Sequence, residues 1–255
     1  MKMRKSSILR RIRSGETAVT AKLNLADPRG AELAAMFDFD GLWIDLEHVP
    51  GTIHDVERIV WAAKAHDCDV ITRVEKGCYN DYIKPFEADS TAIMIPHLMS
   101  YEEAEKIVYY TKFHPIGRRP IDGGNADGGY CLVDAAEYMK EANAERIVIV
   151  QIEDPEPLED LERIAALDGI DMLFFGPADF TQGIGSPLDF SNPLVTQTRK
   201  RVAEVAKKYG KLAGTTGSPE TFEELKAMGY NLINIGADVI ALGKAYKEAL
   251  DKIGR

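Results

Sequence analysis

The chain has 255 residues, 45% of them hydrophobic and 28% charged, with 31 basic against 41 acidic side chains for a net charge of −10. That is the composition of a globular protein long enough for one large α/β barrel or two modest domains. The acidic balance argues against a nucleic-acid binder, which needs a basic surface to neutralise phosphates, but leaves room for a local basic pocket.

The N-terminus, MKMRKSSILRRIRSG, is basic without the apolar stretch of a secretory signal, and its Ile8, Leu9 and Ile12 share one face of a short leading helix. Strand-like, β-branched runs follow at 18–24, 41–45, 69–74, 91–96, 146–152, 171–176, 211–215 and 231–235. Between them the apolar spacing is helical: Val56, Ile59, Val60 and Ala63 fall on one face, as do Ala104, Ile107, Val108 and Thr111. Ser218-Pro219, with Glu220, Glu223 and Glu224 behind it, opens a further helix that Gly229 closes. Eight strands alternating with helices predict one (β/α)8 TIM barrel spanning residues 1–255. A doubly wound sheet would carry GxGxxG after an early strand, and none follows 18–24 or 41–45. Residues 113–130, FHPIGRRPIDGGNADGGY, break the rhythm with a long turn-rich loop after the fourth strand, of the kind that carries function in a barrel. No run reaches the length of a membrane span, and Cys68, Cys78 and Cys131 form no CxxC pair, so a cytoplasmic, reducing location is expected.

In such a barrel the chemistry gathers at the carboxyl ends of the strands. The second strand ends in Asp45, Glu47 and His48; the third carries Arg73; the fourth ends at His97; the fifth at Gln151 and Glu153; the sixth runs into Gly176-Pro177-Ala178-Asp179; the seventh ends in Thr215 and Thr216. Glu153 and Asp179, hard oxygen ligands from adjacent strands, suit Mg²⁺ or Mn²⁺, and the alternative is a pair of solvated strand-end acids. Arg73 interrupts an apolar strand and needs an acidic partner, either an ion pair with Glu47 or Glu75 or a ligand. His48 has the residue type of a proton carrier near neutral pH. On the first strand Thr20, Lys22 and Asn24 alternate with Ala21, Leu23 and Leu25, which turns Lys22 toward the barrel interior to meet a substrate carboxylate or an active-site acid.

WIDLEH (43–48), ITR (71–73), MIPHLMS (94–100), PIGRR (115–119), QIE (151–153), FFGPADF (174–180) and INIGADVIAL (233–242) cover nearly the whole chain. In that order they resemble the HpcH/HpaI aldolases, metal-dependent pyruvate aldolases of the phosphoenolpyruvate/pyruvate barrel superfamily that serve in aromatic-compound or sugar-acid catabolism. The resemblance implies a barrel whose last helix swaps between subunits, in dimers built into hexamers. It implies cleavage of 4-hydroxy-2-oxo acids to pyruvate and an aldehyde. It makes Glu153 and Asp179 the ligands of Mg²⁺, Mn²⁺ or Co²⁺, Arg73 the stabiliser of the enolate and His48 the base. Asp45 and Glu47 support them, and Gln151, Gly176, Pro177, Ala178 and Arg73 hold the pyruvate. Glu87 stands where the family usually has an Asp that partners the catalytic His, and Lys22 stands where it often has an aromatic. Two rival chemistries share this site: decarboxylation of oxaloacetate, and a Schiff-base aldolase using Lys22.

Overall fold

Strands of a closed parallel barrel are covered on both faces, so they read as near-continuous apolar runs. Such runs form β1 (Ala18–Leu23), β2 (Gly41–Asp45), β3 (Asp69–Arg73), β4 (Ala92–Ile95), β5 (Ile147–Ile152), β6 (Met172–Phe175), β7 (Leu212–Thr216) and β8 (Leu232–Ala237). All eight match the expected segments to within two residues at either end. The computed structural model describes residues 1–255 and pairs each strand in parallel with the next, β8 closing on β1. The helices are α1 (Ser7–Arg13), α2 (Pro28–Ala35), α3 (Ile53–Lys64), α4 (Tyr79–Glu87), α5 (Tyr101–Thr111), α6 (Ala135–Glu145), α7 (Leu161–Ala166), α8 (Pro177–Gly183), α9 (Pro193–Lys208), α10 (Phe222–Ala227) and α11 (Asp238–Asp251). None is long and apolar enough to cross a membrane.

Alternation along the strands builds two cores. Leu42, Ile44 and Val70 face outward against α2 and α3, while Ile93, Val148 and Leu173 join the core under the helices from α4 to α10. Trp43, Ile71, Met94, Ile149, Met172 and Phe174 fill the barrel interior, joined by Ile8 from α1. Ile8 is fully buried and plugs the amino end of the barrel. A Cβ on Gly41 would sit 2.7 Å from its Cδ1, so the plug depends on a glycine at the start of β2.

Buried charge surrounds that plug. Asp69 accepts from Arg4 Nη1, the Thr91 and Ser6 hydroxyls and the Ile8 amide, at 2.7–3.0 Å. Asp89 accepts from Arg146 at 2.9 Å, and Asp127 from Arg146 at 2.6 Å, Arg119 at 3.0 Å and Tyr138 at 2.8 Å.

Two expectations are corrected here. The 113–130 loop does not follow the fourth strand directly, because β4 ends at Ile95 and α5 intervenes. It joins α5 to α6, and its Arg119 and Asp127 are buried against Arg146 just before β5, at the opposite end from the strand-end acids. It therefore builds no part of the site within its own chain. The helix after β7 starts later than Ser218-Pro219 indicates, because Thr221 turns back on Ser218 through both its main chain and its hydroxyl, and α10 begins at Phe222.

Candidate active site

Asp45 ends β2 opposite Arg73 of β3, and Lys22 of β1 stands opposite Trp43. That register gathers both cations on one carboxylate. Asp45 Oδ1 accepts from Arg73 Nε at 2.9 Å and from the Glu47 and His48 amides at 3.0 and 3.4 Å. Asp45 Oδ2 accepts from Arg73 Nη2 and lies 2.7 Å from Lys22 Nζ. Burial works to raise the Asp45 pKa, but hydrogen bonds and charge from Arg73 and Lys22 outweigh it and hold the group well below the usual carboxylate range. Lys22 thus meets an active-site acid. Both cations also flank the Trp43 ring, Lys22 Nζ at 5.0 Å and Arg73 Cζ at 4.9 Å from its centroid.

Across the barrel, Gln151 and Glu153 share the inward side of β5 and its extension. Glu153 Oε1 accepts from the His97 amide at 2.8 Å, and Oε2 from Gln151 Nε2 at 2.7 Å. Burial pushes the Glu153 carboxyl up to about 7, and the charge of Asp179 adds to the rise against the opposing pull of His97 and Arg73. Gly176 makes this approach possible: a Cβ there would stand 2.8 Å from the Glu153 Cβ and collide with its carboxylate. Pro177 at the first helical position starts α8 and carries Asp179 into its first turn.

Two imidazoles stand near these acids. His48 is half exposed, with Nε2 3.4 Å from Glu47 Oε2. His97 places Nδ1 2.8 Å from Asp154 Oδ2 and Nε2 3.7 Å from Glu47 Oε1. Burial disfavours its charged form, yet Asp154, Glu153 and Glu47 together raise its pKa above the ordinary histidine value.

Lys22, His48, Arg73, Gln151, Glu153, Gly176, Pro177, Ala178 and Asp179 line one cavity of about 350 Å³. Asp45 lies behind it, reached through Arg73 and Lys22. Glu87 does not join them. It ends α4, which runs back from the carboxyl end of β3, and nine helical residues span about 13 Å. The charges that reach it are those of Arg119, Asp122, Asp127 and Lys84, and burial raises its pKa. The chain's own Glu87 is therefore no partner of His48. Trp43 escaped the sequence reading, although its position two residues before Asp45 puts it on the same inward face. Phe174, Thr216, Asn234 and Ile240 also line the cavity. Nothing local marks the last of these, which comes from α11.

A closed parallel barrel with acids, imidazoles and a guanidinium at the carboxyl ends of its strands has the layout of a barrel enzyme. The chain belongs to the HpcH/HpaI aldolase/citrate lyase family, whose model matches residues 23–245, and is a lyase. The 2-keto-3-deoxy-L-rhamnonate aldolase of Klebsiella pneumoniae is 31% identical over 240 residues, 93% of this chain and 88% of that one. The crystal structure of an HpcH/HpaI aldolase/citrate lyase family protein from Burkholderia cenocepacia superposes with a TM-score of 0.89 at 29% identity, covering 98% of this chain and 100% of that one. An HpcH/HpaI aldolase from Desulfitobacterium hafniense shares the fold with a TM-score of 0.90 at 24% identity, over 96% and 95% of the two chains.

Proposed function

We propose that this protein cleaves 4-hydroxy-2-oxo acids, with 2-keto-3-deoxy sugar acids as the favoured class, to pyruvate and an aldehyde. The observation that carries the reading is an under-compensated buried carboxylate, Glu153, lining the same cavity as an ion-paired guanidinium, Arg73. A divalent cation fits there: Glu153 and Asp179 are hard oxygen donors, burial and mutual repulsion raise the proton affinity of Glu153, and a cation would relieve both. No third acid, imidazole or thiolate groups with them as a ligand set, so remaining positions would fall to water and substrate oxygens, as Mg²⁺, Mn²⁺ or Co²⁺ accept. Bound there, the cation supplies Lewis-acid polarisation of the 2-oxo group.

The chain's own residues supply the rest. Gln151 and the wall made by Gly176, Pro177 and Ala178 hold the carboxylate end of the substrate, assisted by first-turn amides of α8 that have no partner within the helix. His48 takes the proton from the C4 hydroxyl; as the C4–O pair becomes a carbonyl, the C3–C4 bond breaks and its electrons pass into the C2–C3 enolate. Arg73, fixed by Asp45, stabilises the developing enolate oxygen. C3 then takes up a proton to give pyruvate. Lys22 is held by Asp45 as an ion-paired ammonium, a poor nucleophile, which disfavours the Schiff-base alternative. The test is pyruvate release from a panel of 4-hydroxy-2-oxo acids and oxaloacetate in the presence of Mg²⁺. Aldehyde appearing with pyruvate is expected; turnover of oxaloacetate alone would favour the decarboxylase.

Assembly forms part of the reading. No residue of α11 is buried, and its Ile240 and Tyr246, with Ile253 just beyond its end, are each more than 60% exposed. Beside it, Leu25, Leu33, Phe37, Phe39 and Leu242 line an apolar groove of about 730 Å³ between β1, α2 and α11. An exposed apolar helix beside an uncovered apolar groove is self-complementary. The occupant we propose is α11 of a second copy, in a swapped dimer that builds a hexamer. Truncation before Asp238 should give monomers in light scattering.

A further inference from the structure

His97 follows β4 with φ of +47°, a conformation that non-glycine residues seldom adopt and that is held only where the surroundings demand it. The turn aims the residue's two ends at different carboxylates. Its amide donates to Glu153 Oε1 at 2.8 Å. Its imidazole lies between Asp154, 2.8 Å from Nδ1, and Glu47, 3.7 Å from Nε2. The second distance is that of an ionic contact and not of a hydrogen bond. Since an ionised carboxylate only accepts, Nδ1 donates to Asp154, which fixes the ring plane and leaves Nε2 directed at Glu47.

Glu47 is the residue with most to gain from being held. Its Oε2 lies 3.0 Å from Arg73 Nη1 and 3.4 Å from His48 Nε2, yet it is buried without an aligned hydrogen bond. Both of those contacts fall on Oε2, and His97 is the group that faces Oε1, so the orientation of the carboxylate depends on it.

We propose that His97, braced by Asp154, is a positioning residue that holds Glu47 against Arg73 and His48. It acts on the side of the site opposite to the one its own amide serves at Glu153. The inference rests on the aldolase reading, because Arg73 and His48 are the groups Glu47 serves. Asn and Gln variants separate the two ring nitrogens. Asn places its amide near the Nδ1 position, keeps Asp154 and tolerates the positive φ, but falls short of Glu47. Gln reaches the Nε2 position with an N–H donor.

The experiment is steady-state pyruvate release by full-length wild type, His97→Asn, His97→Gln, Glu47→Gln and the His97→Asn/Glu47→Gln double variant. Thermal melts and Mn²⁺ titration calorimetry accompany it. His97→Asn should lower kcat by about 10–100-fold with KM little changed, His97→Gln should restore part of that loss, and the double variant should be no slower than Glu47→Gln alone. Mn²⁺ affinity should not fall in His97→Asn, because the hydrogen bond to Glu153 is made by the main chain and the imidazole, with Nδ1 4.0 Å from Glu153 Oε1, is not its donor. Multiplying effects in the double variant, equal rates in Asn and Gln variants, or Mn²⁺ affinity lost with the side chain would each overturn the inference. Absence of pyruvate release by the wild type would instead remove the aldolase reading.

Discussion

Both ends of the barrel bury charged side chains, and they balance them differently. At the amino end Asp69, Arg4, Asp89, Arg146, Asp127 and Arg119 alternate in sign and meet at hydrogen-bond distance almost throughout. Asp127 is the extreme case: burial works to raise its pKa, but Arg146, Arg119 and the Tyr138 hydroxyl hold it below the ordinary value. At the carboxyl end the compensation stops short. Asp45 is fully satisfied, but Trp43 Nε1, Glu47 Oε2 and Gln151 Oε1 are buried without an aligned hydrogen bond, and Glu153 is held with its pKa raised to about 7. A buried charge that finds its partners inside the chain serves the fold, and one that does not is poised for something brought from outside. The amino end has one orphan of its own, Arg119 Nε, but that guanidinium lies over the rings of Phe86 and Phe113.

Glu153→Gln breaks the comparison most sharply. It should cut kcat/KM for pyruvate release by about 10³-fold, while raising the melting temperature of the metal-free protein at pH 8, because an uncompensated buried charge is removed. The mirror experiment is Asp127→Ala, which strands Arg119 and Arg146. It should cost about 3–5 kcal/mol in denaturant unfolding, with kcat of the folded fraction unchanged. Gly176→Ala follows: displacing the Glu153 carboxylate should lower kcat/KM by about 10²-fold.

The smallest effect lies in the pH dependence of metal-free stability, and here the two ends should slope in opposite directions. Glu153 binds its proton more tightly when folded, so its contribution is complete below the ordinary value of 4.5 and is lost as the pH rises through about 7. Asp127 binds its proton less tightly when folded, so its contribution is present above the ordinary value of 3.8 and is lost on acidification. Melting temperatures taken from pH 5 to 8 should fall less for Glu153→Gln than for the wild type.

The strands were legible because a doubly covered strand leaves an unbroken apolar run, and the acids were legible because they stop those runs. Trp43 was legible in principle, since alternation puts it with Asp45 on the inward face. What escaped depended on distance between segments remote in sequence. Glu87 matched a motif position, yet α4 carries it away from His48. The 113–130 loop had a functional composition, but α5 delivers it to the amino end, where Asp127 finds Arg146. The Ser218-Pro219 helix start lost to a local turn closed by Thr221. His97 stood out as a strand-end imidazole of uncertain role, and only the left-handed turn at that residue places it between Asp154 and Glu47.

In the proposed function a divalent cation held by Glu153 and Asp179 serves aldol cleavage at the carboxyl end of the barrel. The most direct measurement is pyruvate release from one 2-keto-3-deoxy sugar acid by the purified protein, after EDTA treatment and again after adding Mg²⁺ or Mn²⁺. EDTA should remove the activity, the cation should restore it in the wild type, and it should fail to do so in Glu153→Gln. Undiminished pyruvate release in EDTA would contradict this reading.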